Sequence, residues 1–78
     1  MLEKEKFFIE LTEILELDEK VKGDFNLEEC DAWDSLAKIS VAAFIESESS
    51  IFLDDDEFSN FRTPDDIFTK ILEKINEQ

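Results

Sequence analysis

Apolar side chains recur at intervals of three and four residues near the start of the chain, with Glu and Lys between them. This spacing is typical of an amphipathic helix, because about 3.6 residues per turn bring such positions to one face. We expect a helix over roughly residues 2–17 that ends near Asp18, ahead of Gly23, the only glycine in the chain. Its core-facing side chains are predicted to be Phe7, Phe8, Leu11, Ile14 and Leu15.

Residues 18–34 show no sustained helical period and are predicted to form a long connection. Connections of this length in compact domains are usually functional or disordered. Three large apolar side chains, Phe25, Leu27 and Trp33, would hold this one against the core. We therefore expect an ordered loop in which residues 24–27 turn inward.

Helical spacing returns at Ser35. Asp34 or Ser35 is the expected N-cap, because a side-chain oxygen at this position accepts a free backbone N–H of the first turn. Val41 and Phe44 lie outside a narrow apolar stripe, which predicts either burial on more than one side or an apolar patch for a partner. The main apolar face of this helix is predicted to contain Leu36, Ile39, Ala42, Ala43 and Ile45.

Two further helices are indicated by their N-terminal signals. Asp54 followed three residues later by Glu57 predicts a capping box at the start of a short helix, which would carry two Phe side chains to the core. The Thr-Pro-Asp-Asp sequence at residues 63–66 then places a cap, a first-turn proline and two acids at the positive end of the last helix. That helix is expected to run to about residue 75, with Ile67, Phe68, Ile71, Leu72 and Ile75 facing inward.

Together these elements predict an all-α fold: a small four-helix bundle with three longer helices, a short third helix and a long first loop. The length leaves room for a single domain, residues 1–78, with a core of modest size. One cysteine, Cys30, excludes an internal disulfide and fits a reducing compartment. The sequence shows neither a signal peptide nor an apolar run of about 20 residues. We therefore expect a cytoplasmic protein that does not enter the membrane, and a monomer because no large apolar stripe is left over.

The chain is strongly acidic, with 22 Asp and Glu against 8 Lys and Arg and a net charge of −14. Nucleic acid and anionic membranes are poor partners for such a surface, whereas a basic protein surface is attracted to it. Between residues 24 and 66, 13 acids are opposed only by Lys38 and Arg62. Solubility alone is the simplest explanation of this excess, while the 42% hydrophobic content and eight Phe argue against disorder.

Several kinds of chemistry are excluded by residues that the chain lacks. It has no His, so neither a Ser–His–Asp triad nor a zinc site of Cys and His can form. One glycine cannot make a glycine-rich phosphate loop, and the four acids at residues 54–57 do not match a calcium-binding loop. We therefore expect no catalytic residues, no metal site and no enzyme activity of its own.

The tripeptide Asp34-Ser35-Leu36 is informative through its position. Ser35 follows a long loop and opens the second long helix, where free backbone N–H groups and the helix dipole favour an anion. A phosphodiester on its oxygen would be stabilised there, with Leu36 anchoring the helix start and Asp34 available to the enzyme or metal that delivers the group. Judged from the spacing alone, a helix cap is the simpler interpretation of Ser35.

Residues 31–36, Asp-Ala-Trp-Asp-Ser-Leu, together with the predicted helix order, resemble the acyl carrier protein family. Members of that family are small acidic four-helix proteins that carry 4′-phosphopantetheine on the serine of an Asp-Ser-Leu motif. The resemblance extends over essentially the whole chain and includes the Thr-Pro pair before the last helix. It implies that Ser35 carries covalent 4′-phosphopantetheine from coenzyme A, with Asp34 and Leu36 as motif neighbours, and that an acyl group is held as a thioester.

Two departures from the fatty-acid carriers bear on the pathway. Positions where many of them have glycine hold Ala32 and Trp33, and the second helix has few acids and contains Lys38. A tryptophan before the motif is similar to D-alanyl carriers, peptidyl carriers and stand-alone carriers of specialised pathways. The resemblance therefore implies a dedicated pathway carrier rather than the fatty-acid one, although Trp33 could equally be a loop anchor.

The resemblance also implies partners. These are a phosphopantetheinyl transferase, a ligase that loads an acyl or aminoacyl group, and acyl-processing or acyl-transfer enzymes with basic docking patches. We expect their docking surface to combine the loop end, exposed apolar positions of the second helix and nearby acids. The residues predicted for it are Trp33, Val41, Glu46, Glu48, Asp54, Asp55, Asp56 and Glu57.

Two other functions stay open at this point. An aminoacyl, D-alanyl or peptidyl carrier would have the same sequence features and differ only in its cargo and loading enzyme. A small acidic protein-interaction module would keep the bundle without a prosthetic group, but it would have no need of an intact Asp-Ser-Leu sequence. Replacement of Ser35 separates this module from the carriers.

Overall fold

A computed structural model of the protein describes residues 2–77. It contains four α-helices and one short 3₁₀ helix, and no strand occurs among these residues. The prediction of a small all-α bundle with a short third helix and a long first loop is confirmed. None of the described helices is long and apolar enough to cross a membrane. In chain order the helices are α1, Lys4–Ile14; the 3₁₀ helix, Leu27–Glu29; α2, Ser35–Ser49; α3, Asp55–Ser59; and α4, Pro64–Asn76.

α1 ends earlier than its apolar pattern predicts. Its last residue is Ile14, and Glu16 follows in the left-handed region with a φ of 57°. The N–H of Leu17 donates to the carbonyl of Thr12 at 3.1 Å, and the N–H of Glu16 donates to that of Glu13 at 3.1 Å. These two bonds form the Schellman pattern of helix ends. The chain therefore leaves the helix about one turn before the predicted point.

The connection from α1 to α2 is ordered, as predicted. Leu27 is fully buried, and its N–H donates to the carbonyl of Arg62 at 2.9 Å. The carbonyl of Gly23 accepts the N–H of Asp65 at 3.1 Å. In the segment predicted to turn inward, the apolar residues are buried or half-buried and the polar ones are exposed. These two backbone hydrogen bonds connect the loop to Arg62, just before α4, and to Asp65 in the first turn of α4.

α2 turns a different face to the core from the one predicted. Its buried side chains are Ala37, Val41 and Ile45, spaced four residues apart. Leu36 and Ile39, predicted to face inward, are 74% and 65% exposed. The prediction of an exposed Val41 in the docking surface is also wrong, because this side chain is 0% exposed. Apolar residues lie all around this helix, so their spacing does not define which side packs.

The predicted caps of the last two helices both form. At α3 the Asp54 carboxylate accepts the N–H of Glu57 at 2.8 Å, and the Glu57 carboxylate accepts the N–H of Asp54 at 3.1 Å. Thr63 and Asp66 exchange the same pair of bonds at the start of α4, each at 3.2 Å. These reciprocal bonds satisfy backbone N–H groups that a helix start leaves free, so each helix begins where its signal indicates.

Every buried side chain within residues 2–77 is apolar. The rings of Phe7 and Phe68 stack with their centroids 6.1 Å apart and join α1 to α4. Phe58 and Phe61 meet edge to face at 5.3 Å, so α3 reaches the core although it spans only five residues. The inward face predicted for α4 is confirmed, with Ile67, Phe68 and Ile71 buried and Leu72 and Ile75 partly buried.

Candidate functional site

The Asp34-Ser35-Leu36 motif lies at the start of α2, as predicted. Asp34 is the N-cap, and its Oδ1 accepts the N–H of Ala37 at 2.9 Å. Ser35 is the first helical residue and is exposed. Of the two caps that the sequence leaves open, Asp34 therefore has this role, and the Ser35 hydroxyl is available for other chemistry. Leu36 does not anchor the helix start, because its side chain is 74% exposed.

The loop end that precedes the motif is held in place by Trp33. The indole is half-buried, and its ring centroid lies 6.2 Å from that of Phe58 in α3. The N–H of Trp33 donates to the carbonyl of Cys30 at 3.0 Å. Trp33 thus anchors the loop, while part of its ring stays on the surface beside the motif.

A groove runs along the surface between α2 and α3, with Ser35 among its lining residues. Its volume is about 590 Å³. We call it the α2–α3 groove. The segment before α3 contributes Phe52, whose side chain is 67% exposed. The residues that define it here are Ser35, Lys38, Ile39, Phe52, Asp55 and Phe58.

Two carboxylates and one ammonium group border the α2–α3 groove. Glu46 and Asp55 are the carboxylates, and Lys38, one helical turn after Ser35, is the ammonium group. The Lys38 Nζ lies 5.8 Å from the centroid of the Trp33 ring, within the range of a cation–π contact. The site therefore combines an exposed hydroxyl, an apolar groove and charges of both signs.

Of the eight residues predicted for docking, two line the α2–α3 groove and a third lies at the loop end beside Ser35. Glu46 and Asp55 are exposed on the α2–α3 groove, and Trp33 lies at the end of the loop before it. Asp56 is exposed in the first turn of α3. Val41 is buried and therefore does not belong to a docking surface.

Two of the predicted docking acids are already engaged at α3. Asp54 and Glu57 form its capping box. Glu57 also accepts a hydrogen bond from the Lys74 Nζ at 3.0 Å, and the same ammonium group donates to the carbonyl of Phe52 at 3.1 Å. Asp54 is therefore engaged as the cap of α3, and Glu57 joins α3 to α4 through Lys74.

The remaining predicted acid, Glu48, links α2 to α1. Its carboxylate forms an ion pair with the ammonium group of Lys6. The hydrogen bond from Lys6 to this carboxylate, and then its negative charge, raise the pKa of Lys6 above the usual 10.5. Glu48 is therefore engaged within the bundle.

Sequence reasoning missed the exposed apolar side chains Leu36, Ile39 and Phe52 at this site. Phe52 lies between Ile51 and Leu53, which are 2% and 3% exposed, so burial alternates here as in an extended segment. Because all three residues are apolar, the sequence carries no signal for this alternation. Apolar residues lie all around α2, so the sequence likewise carries no signal for the exposure of Leu36 and Ile39.

Comparisons of the chain with models of known protein families, with curated proteins and with solved structures find no match. Within residues 2–77, no group of three or more Cys, Asp or Glu side chains is arranged to hold a metal ion. The motif at Ser35 and the α2–α3 groove beside it are therefore the basis for a functional proposal.

Proposed function

We propose that the chain is an acyl carrier protein that holds an acyl intermediate as a thioester on 4′-phosphopantetheine attached to Ser35. One observation carries the proposal: Asp34 caps α2, so the exposed Ser35 beside it is not needed for that role. A serine kept only as a helix cap would itself accept a first-turn N–H. The interpretation of Ser35 as a cap, which the spacing alone favours, is therefore weakened.

The residues around Ser35 suit a phosphodiester-linked arm. The hydroxyl lies at the first residue of a 15-residue helix, where backbone N–H groups are not bonded within the helix and the dipole favours an anion. The α2–α3 groove, which Ser35 helps to line, offers an apolar surface to an extended arm. When bound, the arm supplies the terminal thiol that forms the thioester.

Attachment requires a separate transferase. Ser35 Oγ forms the new bond to a phosphorus atom of coenzyme A, and the nucleotide part leaves with the electrons of the broken P–O bond. The hydroxyl proton passes to a base of the transferase, because the chain has no histidine and the neighbouring Asp34 carboxylate is engaged as the helix cap. This chain therefore supplies the nucleophilic oxygen, and a phosphopantetheinyl transferase supplies the acid–base chemistry.

The surface beside the α2–α3 groove suits weak and rapid docking of enzymes. Leu36, Ile39 and Phe52 present apolar area, and Glu46 and Asp55 add negative charge. Opposite charges speed the encounter of two proteins, and a small apolar area keeps their complex short-lived. We propose that the transferase, the ligase that loads an acyl or aminoacyl group and the acyl-processing enzymes dock here through basic patches.

Intact mass spectrometry tests the attachment. The protein is incubated with coenzyme A, magnesium and a broad-specificity phosphopantetheinyl transferase, and we expect one phosphopantetheine to be added per chain. Ser35→Ala should prevent the addition. Ser40→Ala removes another exposed serine of the same helix and should leave the addition unchanged.

Circular dichroism establishes that each variant is folded before its mass is compared. Addition that persists in Ser35→Ala contradicts attachment at this residue. No addition to the folded parent contradicts the carrier function and favours an acidic interaction module without a prosthetic group.

A further inference from the structure

We propose that Lys38 binds the phosphodiester of the arm and holds the start of the arm against the N-terminal end of α2; this inference rests on the proposed attachment at Ser35. Lys22 and Lys38 are the only two of the eight basic residues that form no ion pair with a described carboxylate. In a chain with 22 acids, such an ammonium group beside the attachment point is available for another anion. The six basic residues that do form ion pairs are Lys4, Lys6, Lys20, Arg62, Lys70 and Lys74.

Lys38 lies on the same side of α2 as Ser35. The two residues are three positions apart, a spacing that brings side chains together on one helix face, and both line the α2–α3 groove. Side chains in helices lean towards the N-terminus, so the Lys38 stem leads towards the level of Ser35. The contact of its Nζ with the ring of Trp33 agrees with this direction, since Trp33 precedes the helix.

The negative charges around the α2–α3 groove give the Lys38 ammonium group a role in binding the phosphodiester. A phosphodiester on Ser35 adds negative charge to a surface that already carries Glu46 and Asp55, in a chain of net charge −14. This negative charge disfavours a phosphodiester at the groove. The Lys38 ammonium group offsets it and offers three N–H donors to the phosphate oxygens.

The contact between Lys38 and Trp33 has a competing structural explanation. A cation–π contact would hold the lysine in place whether or not the arm is attached. The two explanations differ in what attachment does. A bound phosphodiester draws the ammonium group towards Ser35 and changes the surroundings of the indole, whereas a purely structural contact leaves them as they are.

Fluorescence of Trp33 reports this difference, because Trp33 is the only tryptophan and the chain has no tyrosine. The change in the emission spectrum on attachment is measured for each variant, after intact mass has established that the arm is present. We expect a shift of the emission in the parent and its loss in Lys38→Met, which keeps the length of the stem and removes the charge. Lys38→Arg should retain the shift, as should the matched control Lys22→Met.

The ³¹P resonance of the attached arm gives a second reading. We expect its chemical shift to differ between the parent and Lys38→Met. The chemical shift should be the same in the parent and Lys22→Met. Equal emission changes and equal ³¹P resonances in the parent and Lys38→Met overturn the role of Lys38 and leave the attachment intact. Absence of added mass overturns both proposals, so the mass spectrum distinguishes the two failures.

Discussion

Asp34 and Ser35 share the start of α2 but have separate roles. The backbone of Asp34 is extended, with a φ of −109° and a ψ of −174°, and its carboxylate accepts the N–H of Ala37 in the first helical turn. Ser35 already belongs to the helix, a position from which a side chain does not act as the N-cap. The helix start therefore depends on one side chain, and the chemistry that we propose depends on its neighbour.

Asp34→Ala should lower the free energy of unfolding by about 1 kcal/mol, the usual effect of removing an N-cap. Asp34→Asn keeps an acceptor oxygen and should stay close to the parent. Urea denaturation measures both, with Asp31→Ala as the control, because Asp31 is exposed in the loop before the helix. An unchanged midpoint in Asp34→Ala would mean that the carboxylate does not stabilise α2.

The position of the candidate site follows from the sequence, but the roles of the residues within it do not. The apolar period that resumes at Ser35 marks the start of α2 correctly. Asp34 and Ser35 both carry a suitable oxygen, and the backbone geometry decides which of them is the cap. The contact of Lys38 with Trp33 depends on the path of the preceding loop, which no local pattern encodes.

The elements differ in how far local signals determine them. The caps of α3 and α4 join residues three positions apart, so their sequences predict them. The rotation of α2 depends instead on the elements packed against it, including α1, to which the Glu48–Lys6 pair connects it. Since apolar residues occur on every side of α2, their spacing does not predict that Leu36 and Ile39 are exposed.

The end of α1 allows a test of backbone strain. Glu16 occupies the left-handed position of the Schellman turn, where glycine is the usual residue because it lacks a Cβ atom. Glu16→Gly should raise the free energy of unfolding by about 1 kcal/mol. The same change at Glu13, inside α1, should lower it by about 1 kcal/mol.

Urea denaturation of the two glycine variants is compared with that of the parent. A loss of stability in both would show that the turn after α1 gains nothing from glycine at residue 16, contrary to this expectation.

Over the whole molecule, three of the basic residues, Lys4, Lys6 and Lys74, pair with an acid of another α-helix, and the acids dominate the surface. Lys4 pairs with Asp65 of α4 at 3.1 Å, and Lys74 joins α4 to α3. These pairs involve partly exposed side chains, so each contributes little to stability. With 8 basic residues in the chain, most of the 22 acids have no basic partner of their own, and the protein therefore presents a negative field to any approaching molecule.

Reversal of a single charge at the α2–α3 groove should slow docking. We expect Glu46→Lys to reduce the association rate with the phosphopantetheinyl transferase several-fold at low ionic strength, and added salt to diminish the difference, because screening weakens steering. Stopped-flow kinetics measure the rates. Glu19→Lys makes the same charge change in the loop after α1 and should have a smaller effect.

Equal rates for Glu46→Lys and Glu19→Lys would mean that net charge governs the encounter and that the position of Glu46 is unimportant.

The contacts of Lys74 have a consequence for the cooperativity of the fold. A five-residue helix such as α3 is too short to be stable alone, and Lys74 joins it to the segment before it through Glu57 and the carbonyl of Phe52. We therefore expect α3, which forms one wall of the α2–α3 groove, to unfold locally more readily than α2 or α4. A substitution of Lys74 would therefore change how often this wall opens, although Lys74 itself does not line the groove.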